Sequence, residues 1–114
     1  MSLPSNLMIL IEQIESELTL LDSDLDQIIK LLRERMELFS DNIVLIQIFA
    51  TLNNYRLFVQ NTRIKLENTI QYFTKNKAPS QEDIREIGED LSEQLGRVLE
   101  AKIIVSNIRN RLED

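Results

Sequence analysis

The sequence predicts an all-α protein, an antiparallel three-helix bundle running up, down and up with heptad-like, coiled-coil packing. Two observations about composition and period come first. Only two glycines and two prolines punctuate 114 residues, too few turn formers for a sheet that must reverse about every ten residues. Apolar residues recur at alternating steps of four and three, the period that keeps one stripe of a helix against a neighbour. The third observation is punctuation: "SDN" and "TKNKAPSQED" interrupt that period and divide the chain into nearly equal parts.

The first helix is predicted over 5–38. Its seam is Leu7, Ile11, Ile14, Leu18, Leu21, Leu25, Ile28 and Leu32. Ser5, following Pro4, is the expected N-cap. Ser40 to Asn42 favour caps and turns over helix interiors, so the first break is placed there. The alternative at this point is a continuous helix of about seventy residues, which would have to pair with other chains.

The second helix is expected over 42–76, with Ile48, Leu52, Tyr55, Val59, Leu66 and Phe73 on its seam and Thr62 filling the position between Val59 and Leu66. Pro79 stops it. Ser80 then caps the third helix, with Asp83 in a capping-box-like position three residues on. That helix is expected over 81–113, through Ile84, Ile87, Leu91, Leu95, Val98, Ala101, Val105, Ile108 and Leu112. Each helix is on the order of 50 Å long at ~1.5 Å per residue. Matched lengths and short links give one domain over 1–114. The third helix reaches "RNRLED" without a stop signal, which leaves open both a complete domain and a segment of a longer chain.

Charge placement supports the hairpin. Glu12, Glu15, Glu17, Asp22, Asp24 and Asp26 fall opposite Arg56, Arg63 and Lys65 when the first two helices fold back. The expected neighbours are Asp22 and Asp24 with Arg56, and Glu15 and Glu17 with Arg63. A second reversal sets the acidic start of the third helix, Glu82 to Glu93, beside the same basic half of the second, including Lys75 and Lys77. Exposed pairs of this kind contribute only ~0.2 to 1 kcal/mol each, so they select orientation more than they hold the fold.

The apolar residues exceed one core. Ile43 to Ile46, and Ile103 beside Ile104, point in directions that a single inward stripe cannot take, because successive helix positions turn by about 100°. Folding is expected to bring these stretches to one end, level with each other. The bland reading is a thick core end with untidy edges; the functional one is a docking surface formed by Ile43, Ile46, Phe49, Ile103 and Ile104. Gly88, Ser92 and Gly96 add a ridge of small residues on the third helix, suited to close approach of another helix or tolerated on a solvated acidic face.

The same sequence argues against several classes of function. A formal charge of −6 disfavours nucleic acid and anionic lipid as partners. There is no apolar run long enough for a membrane span and no basic leader. The absence of Cys points mildly to a cytoplasmic setting. With no His and no Cys, the usual general base, thiol nucleophile and zinc ligands are missing. "LDSDLDQ" opens like a calcium loop but has Gln27 where Gly belongs and Arg33 where the closing Glu belongs. No metal, cofactor or catalysis is expected.

The function expected is therefore that of a non-enzymatic helical protein–protein interaction or oligomerisation module, a homodimer or a partner-helix binder. The alternatives are a regulatory bundle holding a small apolar ligand, and an acidic inhibitor or immunity-type protein binding a basic target.

Overall fold

The computed structural model describes residues 3–76 and 78–113. Three helices account for most of them: α1 (Ser5–Leu38), α2 (Ile43–Lys75) and α3 (Gln81–Glu113). No strand occurs among the described residues. The helices form an elongated bundle of 58 × 21 × 17 Å.

Each boundary has a local cause. Pro4 caps α1, its carbonyl accepting from the backbone N–H groups of Leu7 and Met8 at 3.1 and 3.0 Å. This corrects the expected cap at Ser5: the extended backbone of Pro4, at φ −55° and ψ 139°, already starts the turn, and Ser5 is the first helical residue. The first break lies where "SDN" places it. Asn42 accepts from the Leu45 N–H at 3.2 Å through its side chain, so the continuous long helix does not form. At the second break, Ser80 Oγ accepts from the Asp83 N–H at 3.0 Å. The carboxylate of Asp83 does not close a capping box; it accepts instead from the Tyr72 hydroxyl at 2.9 Å, tying α3 to α2.

The core is one contiguous cluster along the heptad seams. Leu18, Leu25, Leu52, Val59 and Leu91 are all buried as the periodicity requires, and so is Thr62, whose hydroxyl bonds the Phe58 carbonyl of its own helix. Leu95 is the exception, half-buried at the edge of the cluster. The α3 stripe repeats every seven residues at Leu91, Val98, Val105 and Leu112, with Gln94, Ala101 and Ile108 between, so Leu95 stands one step off the seam that Gln94 occupies.

The helices are unequally joined. α1 packs closely along both others, while α2 and α3 meet sparsely. Ion pairs fix the register. Arg56 pairs with Asp26, and Arg63 with Asp22 at 3.3 Å. This is the expected antiparallel hairpin, but both acidic partners lie further along α1 than charge matching placed them. Glu17 and Asp24, assigned to α2 on sequence grounds, instead bind α3, at 2.8 Å from Lys102 and 3.2 Å from Arg109. Among the described residues the acidic start of α3 makes no ion pair with α2 either. Glu82 and Glu89 flank Arg85, and Glu93 takes Arg97 at 2.5 Å, because partners three or four residues away on one helix are nearer than those across a cleft. Lys77, another expected partner, lies outside the described residues.

Lys102 and Glu17 are 85 residues apart, and Arg109 keeps the same offset from Asp24. α1 and α3 are therefore parallel; Leu7 against Gly88 and Gln27 bonded to Arg109 set the level, at offsets of 81 and 82, so Glu113 comes level with about Leu31. The last seven or so residues of α1, with the first turns of α2, extend on the order of 10 Å past the end of α3.

Candidate interaction surface

That two-helix extension carries the densest exposed apolar group among the described residues. Leu38, Phe39, Ile43 and Val44 are 77, 61, 68 and 61% exposed, and Ile46 is 46% exposed. Their helical neighbours explain why: Leu45 turns into the core, so the residues on either side of it turn out. Phe49 is half-buried, and the Arg33 guanidinium sits 5.7 Å from its ring centre, a cation–π contact that occupies the face of the ring.

The other candidate residues are not brought to this place. Ile103 is 63% exposed and Ile104 half-buried, but the offset between α1 and α3 puts both about 25 Å from Ile46 along the bundle axis. The expectation that these stretches lie level is corrected by that stagger, which no periodicity in a single helix encodes.

The small-residue ridge divides in two. A Cβ on Gly88 would come 3.3 Å from Leu7 Cδ2, so Gly88 admits close approach of α1, whereas a Cβ on Gly96 meets nothing within 4 Å. Ser92 is exposed. Gly96→Ala is expected to stabilise the protein by ~1 kcal/mol, raising the thermal midpoint by roughly 4 °C, through helix propensity alone. Gly88→Ala should gain less, because Leu7 must give way. Thermal melts followed by circular dichroism check both, and equal gains would mean that α1 does not constrain Gly88.

One surface escaped the sequence reading. Leu57 and Ile64, 54 and 55% exposed, continue the line of Ile43 and Ala50 at seven-residue intervals down the outer face of α2. Ile46, Asn53 and Gln60 fall between them, giving a second alternation of three and four on the side opposite the core. The spacing was available in the sequence, but the stronger inward seam masks it.

The cleft between α2 and α3 differs in character. It is an open space of about 400 Å³, lined by Leu66, Ile87 and Leu91 together with Lys65, Asp90 and Arg97. Open and with charges among its lining, it does not enclose an apolar ligand as a binding pocket does. In the adjoining hollow, Asp83 accepts the Tyr72 hydrogen bond and holds the phenol above its ordinary range. Among the described residues no group of three or more carboxylates is placed to hold a metal ion. No helix is long and apolar enough to cross a membrane. No protein-family model matches the chain, and no curated protein or solved structure shows significant similarity to it.

Proposed function

We propose that the protein is a non-enzymatic helical interaction module that associates with a second copy of itself through the exposed tip of the α1–α2 hairpin. The observation that carries this reading is the tip: Leu38, Phe39, Ile43, Val44 and Ile46 are exposed together where no third helix covers the hairpin. Burial of each such side chain is worth ~1.5 to 3 kcal/mol, a strong incentive to find a cover. A two-fold contact lets one apolar patch bury itself, without a separate partner surface.

Ile46 is the residue to test, since it stands outward beside buried Leu45. Sedimentation across a dilution series should show the unaltered chain gaining mass with concentration. Ile46→Lys should remain monomeric over the same range with its helix content unchanged. A chain that stays monomeric at the highest attainable concentration overturns the reading, as does an Ile46→Lys protein that unfolds, which would make Ile46 part of the core.

A further inference from the structure

We infer that the outer face of α2, from Ile43 to Ile64, is a second heptad seam that pairs with the same face of a second copy, parallel and in register. This rests on the self-association reading and extends it from the tip to more than half the length of α2. The face consists of two lines. Ile43, Ala50, Leu57 and Ile64 form one, and Ile46, Asn53 and Gln60 the other, so that together they step by three and four as a coiled-coil seam does. The apolar members are open: Ile43, Ile46, Leu57 and Ile64 are all at least 46% exposed.

Charge selects this strip as the meeting place of two like molecules. The chain carries a formal charge of −6, yet Ile43 to Ile64 contains no acidic residue. Its two cations, Arg56 and Arg63, are already paired with Asp26 and Asp22. The nearest carboxylates of α1 are thus neutralised by arginines of α2, and two copies can approach here with little charge repulsion.

The order of residues selects the direction. An antiparallel copy would set one line against the other, so that Asn53 and Gln60 would face apolar side chains and lose partners for their amides. A parallel copy sets each line against itself, with Leu57 on Leu57 and Ile64 on Ile64. Asn53 then meets Asn53 and Gln60 meets Gln60, amide against amide, and a slip by one heptad would set Asn53 against Ile46 and leave its amide without a partner. The Asn53 side chain spends one N–H on the Phe49 carbonyl at 3.1 Å, leaving its other N–H and its oxygen for the second copy. The flanks agree: in register, Arg56 faces Asn61 and Arg63 faces Asn68 of the second copy, so no like charges meet. Both hairpin tips then lie side by side.

A contact ~32 Å long and one helix, ~10 to 12 Å, across has a footprint of roughly 350 Å² per chain. This is well under the ~800 Å² per partner of a standard interface, so the dimer is expected to be weak and transient.

The chain has no cysteine, which permits a direct test with Ala50→Cys and Ile64→Cys made singly in the full chain. The two sites are about 21 Å apart along the helix. A parallel in-register pair brings each to its own counterpart, so both variants should form disulfide-linked dimers under mild oxidation, while Ser106→Cys, exposed on α3, should not. Leu57→Lys should weaken self-association by on the order of a hundredfold without loss of helix content. Cross-linking at only one of the two sites, as an antiparallel pair allows, overturns the proposal. So does cross-linking at neither, or equal cross-linking of Ser106→Cys. If self-association persists in the unaltered chain and responds to Ile46→Lys but not to Leu57→Lys, the contact is confined to the tip: the function stands and this seam does not.

Discussion

Truncating Phe73 to Ala is expected to cost ~3 to 5 kcal/mol, a fall in thermal midpoint of roughly 10 to 20 °C. Phe73 is fully buried and is the largest of the side chains that are. It meets Tyr72 edge to face with ring centres 5.2 Å apart, next to the bond by which Tyr72 ties α3 to α2. Its loss leaves a cavity at the end of the bundle where α2 and α3 have little else in common, so neighbouring helices cannot easily collapse to fill it. Denaturant unfolding followed by circular dichroism measures the effect. A cost under ~1 kcal/mol would mean that this end of the core repacks freely.

Leu25→Ala should cost ~2 to 5 kcal/mol, because Leu25 is completely buried in the α1 seam. The informative comparison is Leu57→Ala, the same truncation on the outer face of α2, expected to change the stability of the dilute monomer by no more than ~0.5 kcal/mol. Both costs come out of a total of ~5 to 15 kcal/mol for a domain of ordinary stability. Should the two leucines cost the same, the division of α1 and α2 into inner and outer faces would be wrong.

That division was largely legible in the sequence, because helix period and turn chemistry are local properties. Leu7 to Leu32 repeat by four and three, and each of those eight residues is buried. Asn42 and Ser80 were readable as caps because a side-chain oxygen three residues before a free N–H is a short-range arrangement. What could not be read was the offset between helices. Glu17 and Asp24 had acceptable cations on α2 and on α3, and only packing decided for Lys102 and Arg109. The same limitation separated Ile103 from Ile46, since level depends on how far α3 slides along α1. Leu95 is a smaller departure: apolar by type, it stands beside the seam position that polar Gln94 occupies and is only half-buried. The candidate surface was half legible, its tip from the crowding of Ile43 to Ile46, while the outer line down α2 lay behind the stronger inward seam.

The most intimate helix pair, α1 with α3, is also the pair most distant along the chain, its ion pair between Glu17 and Lys102 joining residues 85 apart. Three-helix proteins dominated by neighbour-to-neighbour contacts fold quickly because each closure is short. Here the hairpin of α1 and α2 closes first at small entropic cost, and the main gain waits until the whole length of α2 has been looped out and α3 has found its place along α1. The docking of α3, rather than formation of any helix, is then expected to set the pace of folding. Until it arrives, the seam of α1 stands half open to any other helix of the same period.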